Sequence, residues 1–332
     1  TAYEILTCDW SSDVCSSDLR VLQGAGFLPG VGLSSTMTEP LVQRLALIGC
    51  GLMGGSFALA LRQHGLVGQV SGYSTREVTR QRALALGVID QACESVAQAV
   101  ADADVVLLAV PVQATELTLR AMAPHLGAHT LLMDVGSTKC DVIASARACL
   151  GLALPRFVPA HPIAGKEVSG VEYAEASLYA NRQVFLTPIA ETDARFTARA
   201  QALWLALGAQ VGVLTPEFHD QTFAAVSHLP HVLAFAYMNA LVAQPEGDRM
   251  QAMAGPGFRD FSRIAASDPT VWRDILLANR DHVLAQLAHT QEALAAFEQA
   301  MREGDGERLT QLIETSRQAR SGWRLAADPE AD

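Results

Sequence analysis

The stretch GCGLMGGS at residues 49–56 decides the fold of this chain. It follows a short apolar run, LALIG at 45–49, and it opens a segment with helical spacing. In such a strand, turn and helix, Gly49 permits a tight turn, Gly51 lets the backbone approach a pyrophosphate, and Gly54 lets helix and strand pack closely. The stretch therefore predicts a dinucleotide-binding loop, and a glycine-rich turn without a ligand is the alternative.

The expected cofactor is a nicotinamide dinucleotide, NADP+ in preference to NAD+. The helix that begins at Leu52 and Met53 would direct its N-terminal amides at the pyrophosphate. About 20 residues after such a loop an acidic residue usually binds the ribose hydroxyls of NAD, but Ser74, Thr75 and Arg76 stand there instead. Hydroxyl donors and a cation suit the 2′-phosphate of NADP. The alternative is that Arg76 merely begins the next helix and faces water.

Short apolar runs alternate with longer helical stretches through residues 44–214. The predicted strands are LALIG (45–49), QVSGY (69–73), DVVLLAV (104–110), TLLMDV (130–135), RFVPA (156–160), QVFLTP (183–188) and AQVGVL (209–214). Several are apolar throughout, as expected for parallel strands that helices cover on both faces. From Pro216 to about Trp323 only helical spacing remains, with an apolar run at 220–242 that Pro230 should kink.

These patterns predict an α/β protein with three segments. Residues 41–215 are expected to form a Rossmann-type, doubly wound, mostly parallel sheet, and residues 216–325 an all-helical domain for substrate binding and dimerisation. Residues 1–40 repeat Ser-Ser-Asp and lack the features of a signal peptide. We expect them to be a disordered or non-native extension.

Composition limits the classes of partner. A formal net charge of −11 argues against nucleic acid and anionic membrane surfaces, which both require clustered lysine and arginine. No apolar run is expected to reach the roughly 18 residues that a membrane span needs. The six cysteines show neither CxxC pairs nor metal-ligand spacing. We expect a cytoplasmic protein with a small-molecule substrate.

Further strand ends supply candidate site residues, because ligands of open α/β sheets bind beyond the carboxyl ends of the strands. Val110 and Pro111 end one predicted strand and Ser137 follows another, where capping of the next helix is the alternative role for its hydroxyl. His161 follows the strand at 156–160. A histidine beside a nicotinamide is suited to accept a hydroxyl proton as hydride leaves the same carbon.

The helical half contributes two more motifs. SHLPH places His228 and His231 on one helix face, but a zinc site would need a third ligand and no HExxH or nearby cysteine is present, so no metal is predicted. GFRDFSRIA contains Arg259 and Arg263, one helical turn apart. A guanidinium suits bidentate binding of a substrate carboxylate. A surface salt bridge with Asp260 is the alternative.

Taken together, GCGLMGGS, DVGSTK, HPIAGKEVSG, SHLPH and GFRDFSRIA, in that order, resemble the prephenate and arogenate dehydrogenase family. The resemblance covers about residues 45–323. It implies a dinucleotide domain, an all-helical dimerisation domain that makes a homodimer, and an active site between them. The implied reaction is the oxidative decarboxylation of a cyclohexadienol, prephenate or arogenate.

The same resemblance implies roles for individual residues. His161 matches the histidine that polarises the ring hydroxyl, and Ser137 the serine between that hydroxyl and the nicotinamide. Arg263 matches the arginine that holds the ring carboxylate, and His231 a residue at the side-chain end of the substrate. Lys166 departs from the pattern, where a small or hydroxylated residue is expected. An extra cation there would favour the more anionic prephenate, or it would point to solvent.

Two other classes stay open at this level. β-Hydroxyacid dehydrogenase-like and pyrroline-carboxylate-reductase-like enzymes share a glycine loop and a helical second domain, but their own catalytic signatures are not found. A non-catalytic dinucleotide-sensing protein would explain the loop and leave His161 and Arg263 without a role.

Overall fold

The computed structural model describes residues 40–166 and 168–323, so that the predicted extension lies, except for Pro40, outside the described residues. The strands are β1 (Val42–Ile48), β2 (Val67–Tyr73), β3 (Gln91–Ala92), β4 (Val105–Leu108), β5 (Leu131–Asp134), β6 (Phe157–Val158), β7 (Ala160–Pro162), β8 (Gln183–Leu186) and β9 (Gln210–Val213). The α-helices of the first half are α1 (Leu52–Gln63), α2 (Glu77–Ala85), α3 (Val96–Val100), α4 (Thr115–Met122), α5 (Cys140–Cys149) and α6 (Ala194–Ala206). Those of the second half are α7 (Pro216–Phe223), α8 (Leu229–Val242), α9 (Gly247–Ala252), α10 (Pro256–Ser262), α11 (Pro269–Ala278), α12 (Arg280–Glu303) and α13 (Gly306–Gly322).

The main sheet has six strands, all parallel, in the order β3-β2-β1-β4-β5-β6. Alternate residues of β1 enter different cores: Leu45 and Leu47 pack on one face of the sheet, and Ala46 and Ile48 on the other. Helices therefore cover both faces, and the Rossmann-type doubly wound prediction is confirmed. All carboxyl ends lie along one edge, which is where ligands of such sheets bind.

The last three strands differ from the prediction. β7, β8 and β9 form a separate sheet, in which β7 runs antiparallel to β8 and β8 runs parallel to β9. Pro159 separates β6 from β7 and offers no N–H to a ladder. A parallel return would need a crossover, usually helical, but the described residues of 163–182 form no α-helix. Placing these strands on the main parallel sheet was therefore wrong.

A π turn (Ala224–His228) lies between α7 and α8. Together the three elements form one continuous helical segment, Pro216–Val242. Pro230 lies in the first turn of α8. Proline lacks an N–H and its ring clashes with the carbonyl four residues earlier, so a helix must adjust on the N-terminal side of it. The disturbance predicted at Pro230 thus takes the form of a wider turn just before it.

The segment Pro216–Val242 is also long and apolar enough, by length and composition alone, to cross a membrane, which the sequence analysis did not expect of any run. Only 17% of its most apolar window is buried within the chain. Val226, Tyr237 and Val242 are 65%, 45% and 53% exposed. Asp220 near its start is buried and bonds to backbone amides of α5, so this end packs against the first domain. The helical domain consequently presents a large apolar surface.

Candidate active site

The glycine loop has the geometry that a bound pyrophosphate requires. Gly49 has a φ of +101°, and a Cβ there would lie 2.1 Å from the carbonyl oxygen of Ala109. At Gly54 a Cβ would lie 2.4 Å from the carbonyl oxygen of Gly49, so that helix and strand could not pack as they do. A Cβ at Gly51 would meet nothing within 4 Å. The loop is therefore packed on its inner side and open where a dinucleotide would approach, which fits the predicted cofactor.

A cleft of about 630 Å³ opens beside this loop. Its walls come from the glycine loop, the ends of β4 and β5, the loop after β7, and α11 of the helical domain, which packs beside the turn Val112–Ala114. The predicted site residues among its lining are Gly51, Leu52, Met53, Val110, Pro111, Ser137 and Lys166. The cleft thus lies between the two domains, at the carboxyl edge of the main sheet.

At the end of β2, the Oγ of Ser74 accepts a hydrogen bond from the amide of Cys50 at 2.8 Å and so ties the strand end to the glycine loop. Thr75 and Arg76 are exposed. The sequence analysis did not single out Arg80. Its guanidinium donates to the carbonyl of Ser74 at 2.6 Å and lies over the ring of Tyr73. Arg80 therefore adds a cation to the strand end at which the cofactor ribose is expected.

Ser137 lines the cleft and does not cap the next helix. α5 begins at Cys140, and its first amides, those of Lys139 and Cys140, donate to the two carboxylate oxygens of Asp220, each at 2.9 Å. A side chain of the helical domain thus takes the role that was considered for Ser137. The capping alternative is not realised, and the Ser137 hydroxyl is available to a ligand in the cleft.

A buried lysine fixes the loop that carries Ser137. The ammonium of Lys139 donates to Asp134 and, at 2.7 Å, to the carbonyl of Ala160. The other oxygen of Asp134 accepts from the amide of Ala160 at 3.0 Å. These bonds join the end of β5 to β7, and they place Ser137 and His161 on segments held by one ion pair.

His161 lies within β7 rather than after a strand of the main sheet, and it does not line the cleft itself. As a residue His161 is partly exposed, and its Nδ1 lies 2.9 Å from Nε2 of His219. The Nδ1 of His219 in turn lies 2.8 Å from Oδ1 of Asp220. Burial, together with the nearby His219, Lys139 and His228, lowers the pKa of His161 well below its usual range. His161 is therefore neutral at physiological pH, as an acceptor of a proton must be.

The same network continues into the helical domain. The side-chain amide of Asn279 donates to the carbonyl of Asp220 at 2.7 Å and lies 3.1 Å from Nδ1 of His228. His228 is buried, and this burial lowers its pKa to about 4. It is thus a neutral, hydrogen-bonded interior histidine. The two histidines of the SHLPH motif, His228 and His231, therefore do not have equivalent roles.

His231 faces a different environment. Its ring stacks on that of Trp272 with centroids 3.5 Å apart, and Trp272 lines the cleft. Burial, together with the positive charge of Arg263, lowers the pKa of His231. Arg263 itself is exposed and does not line the cleft. His231, Trp272 and Arg263 therefore form a group beside the cleft, on the side of the helical domain.

The two remaining cations of the prediction are both paired. Arg259 forms an exposed ion pair with Asp260 at 3.0 Å, as the surface alternative predicted. Lys166 lines the cleft, and its ammonium lies 2.8 Å from a carboxylate oxygen of Glu175. No cluster of three or more potential metal-ligating side chains occurs within residues 40–166 and 168–323.

Four functional candidates were missed by the sequence analysis: Lys139, His219, Asp220 and Asn279. One signal was present, because His219 and Asp220 stand side by side at the start of a strongly apolar helix. Buried charged groups require partners, so that this pair indicated a contact with another element.

Comparison with known proteins covers both domains. Residues 57–213 match the family model described as the nucleotide-binding domain of prephenate dehydrogenase, and residues 215–315 match its dimerization domain. The cyclohexadienyl dehydrogenase of Zymomonas mobilis is 35% identical over 288 residues, which cover 86% of this chain and 98% of that protein.

Two solved structures are also similar over most of their length. The prephenate dehydrogenase of Aquifex aeolicus in complex with hydroxyphenyl propionate and NAD+ is 34% identical, with a TM-score of 0.78 over 86% of this chain and 99% of the other. Arogenate dehydrogenase from Synechocystis is 28% identical, with a TM-score of 0.72 over 84% and 99% of the two chains. With its glycine loop, its interdomain cleft and these matches over both domains, the chain belongs to the prephenate dehydrogenase family of NAD(P)-dependent oxidoreductases.

Proposed function

We propose that this protein oxidises the ring hydroxyl of prephenate or arogenate, with loss of the ring carboxylate as carbon dioxide and reduction of NAD(P)+. The observation that carries the proposal is the convergence of the open glycine loop, Ser137 and the loop after β7 around one interdomain cleft, with the His161 strand β7 anchored beside it by Lys139. Aromatisation of the ring drives the loss of carbon dioxide. The products would be 4-hydroxyphenylpyruvate from prephenate, or tyrosine from arogenate.

The cofactor would be held by the glycine loop and the adjoining strand ends. The amides that begin α1 at Leu52 and Met53 would bind the phosphates, and Val110 and Pro111 form the wall at the end of β4. The chemistry that a bound nicotinamide would supply is acceptance of the hydride from the hydroxyl-bearing carbon of the substrate.

Side chains of the protein itself accept the proton and bind the substrate. His161, neutral and partly exposed, accepts the hydroxyl proton, and Ser137 orients that hydroxyl from the cleft wall. Arg263 binds the ring carboxylate and holds it in place until the ring becomes aromatic. His231 borders the side-chain end of the substrate, and its stacking on Trp272 holds the imidazole ring of His231 in place.

We further propose that NADP+ is preferred over NAD+. No carboxylate occupies positions 74–76 to repel a 2′-phosphate, and the exposed Thr75 and Arg76 offer a hydroxyl and a cation. Arg80, fixed at the carbonyl of Ser74, adds a second guanidinium beside the same strand end. Only one of its nitrogens is used in that contact, and an arginine carries five N–H donors.

Substrate choice between prephenate and arogenate follows from the side-chain end of the cleft. Lys166 is a substrate-binding candidate there, and its present partner is Glu175. Because exposed ion pairs contribute little, a substrate carboxylate can replace Glu175 at small cost. If Lys166 is released in this way, its ammonium favours the keto acid prephenate over arogenate, which carries an ammonium of its own.

The apolar surface of the helical domain supports a homodimer formed through residues beyond Pro216. Large exposed apolar side chains of this domain include Val226, Tyr237, Leu277 and Leu284. Exposed apolar area of this kind is typical of a protein interface. The four described cysteines are free thiols, which suits a cytoplasmic location.

The test is an assay of the purified protein with prephenate or arogenate and with each nicotinamide cofactor, in which absorbance reports cofactor reduction and a second assay reports carbon dioxide. We expect stoichiometric reduction and decarboxylation with at least one substrate. Absence of reduction with both substrates and both cofactors would overturn the proposal. Sedimentation in the same buffer tests the dimer.

A further inference from the structure

His161, His219 and Asp220 form a linear chain of side-chain contacts that joins the two domains. The Nδ1 of His161 faces Nε2 of His219 at 2.9 Å, and Nδ1 of His219 faces Oδ1 of Asp220 at 2.8 Å. The two imidazole rings meet edge to face, with centroids 5.0 Å apart. Since every contact uses a ring nitrogen, the position of one proton determines the position of the next.

Asp220 is the acceptor at the end of this series of side-chain contacts. Its two oxygens accept hydrogen bonds from the amides of Lys139 and Cys140, each at 2.9 Å, and these amides begin α5, where the helix dipole favours an anion. Burial alone would raise the pKa of Asp220, but the bonds from His219 and the two amides hold that pKa below its usual range. The carboxylate is ionised and has no proton to give.

The tautomers of both histidines follow from that anion. His219 must carry its proton on Nδ1 to donate to Asp220. Burial lowers the pKa of His219, so it is neutral and its Nε2 is a bare acceptor. His161 must then donate from Nδ1, and because it is also neutral, its Nε2 has a free lone pair.

We propose that His219 and Asp220 are positioning residues that hold His161 in the tautomer with its proton on Nδ1, leaving Nε2 bare to receive the substrate's hydroxyl proton. The inference rests on the proposed function for the identity of that proton. In the step, the hydroxyl O–H bond breaks, an Nε2–H bond forms on His161, and the oxygen becomes a carbonyl as hydride leaves its carbon. The resulting imidazolium still donates from Nδ1 to His219, which Asp220 backs with its negative charge.

Other groups around His161 agree with this assignment. The Lys139 ammonium and His228 approach it from α5 and from the helical segment and disfavour a resting positive charge, while the ring of Phe223 lies 4.7 Å away, centroid to centroid. The ring is thus confined by an apolar neighbour and oriented by one hydrogen bond. Without that bond, both tautomers and both ring flips would be accessible.

The tautomer can be measured without substrate. In protein labelled with ¹⁵N-histidine, the nitrogen resonances distinguish a protonated ring nitrogen from a bare one, and the spectrum of His161→Asn assigns those of His161. We expect a protonated Nδ1 and a bare Nε2 at neutral pH. A protonated Nε2 in the unmodified protein would overturn the inference, even if the enzyme were active.

Two variants of His219 separate positioning from packing. In His219→Gln the side-chain amide can still accept from His161 and donate to Asp220, so the tautomer and most of kcat should be kept. His219→Leu removes both bonds, and kcat should fall roughly 10²- to 10⁴-fold with little change in the KM for the substrate or for the cofactor. Unchanged kcat and an unchanged His161 tautomer in His219→Leu would overturn the inference. Inactivity of the unmodified enzyme, with the expected tautomer, would count against the proposed function alone.

Discussion

Lys139 and Asp134 form an ion pair in which the lysine side chain is 0% and the aspartate side chain 3% exposed. Removal of one partner from such a pair leaves an uncompensated buried charge, which typically costs about 3–5 kcal/mol. The pair also joins β5 to β7 through the carbonyl of Ala160. It therefore holds the loop of Ser137 and the strand of His161 in one arrangement.

The first prediction concerns this pair. Lys139→Met should lower the free energy of unfolding by about 3–5 kcal/mol, as measured by denaturant titration. Arg195→Met, which removes an exposed partner of Asp193, is the matched control and should change stability little. Equal losses in the two variants would show that the Lys139 pair has no special role.

The second prediction concerns the proton acceptor. His161→Asn should lower kcat by roughly 10²- to 10⁴-fold, because the acceptor of the hydroxyl proton is lost. Affinity for the cofactor, measured by fluorescence titration, should stay unchanged, since His161 is proposed to act on the substrate hydroxyl and the glycine loop to hold the cofactor. His125→Asn, on the surface, is the control. If His161→Asn kept most of its kcat, the role would belong to another residue.

The third prediction compares two arginines one helical turn apart. Arg263→Ala should raise KM for the substrate roughly 10²-fold through loss of a charge-assisted bond to the ring carboxylate, while cofactor affinity stays the same. Arg259→Ala should leave both constants nearly unchanged, because Arg259 is exposed and paired with its neighbour Asp260. Steady-state kinetics with each variant decides, and a normal KM in Arg263→Ala would contradict the assignment.

The fourth prediction concerns cofactor choice. Ser74→Asp keeps an acceptor for the Cys50 amide but adds a charge that repels a 2′-phosphate, so the ratio of kcat/KM values should shift from NADP+ toward NAD+. Arg76→Ala should weaken the binding of NADP+ and have little effect on the binding of NAD+. Ser74→Ala, which removes the bond without adding charge, is the control. Equal kcat/KM for both cofactors in the unmodified enzyme would refute the preference.

The fifth prediction concerns acid stability. His228 has a pKa of about 4 in the folded chain, against an ordinary value of 6.5. Between these values the unfolded chain binds the extra proton, so stability is full above the higher value and is lost as pH falls toward the lower one. For this residue the slope reaches about 1.4 kcal/mol per pH unit. Denaturant titrations across this window should show the loss, and a reduced slope in His228→Leu. An identical slope in the variant would exclude His228 as its source.

The parts of the fold that the sequence predicted are those with local chemical causes. The tight turn at Gly49 and the apolar runs of β1, β2, β4, β5 and β6 depend on neighbours in sequence, and a helical second domain follows from helical spacing; the two-residue strand β3 (Gln91–Ala92) was not predicted. The separate sheet of β7 to β9 does not follow from such local causes, because the direction of β8 depends on whether a crossover helix forms. In the site, Asp220 caps α5 from 80 residues away, and Asn279 bonds to Asp220 from 59 residues away. Contacts of that range leave no periodic pattern for a single sequence to display.

The π turn Ala224–His228 has a consequence for how the long helix of the second domain is used. A π turn accommodates about one residue more than an α turn, so that everything after it is rotated by roughly 100° relative to an unbroken α-helix. Before the turn, His219 and Asp220 point into the interdomain network; after it, Tyr237 and Val242 remain exposed. One helical segment thus carries both the interdomain network and the exposed apolar surface. The rotation of one about the helix axis relative to the other is set by a single inserted residue. Loss of one residue from this turn would preserve the composition of both surfaces and yet turn one of them away from its target.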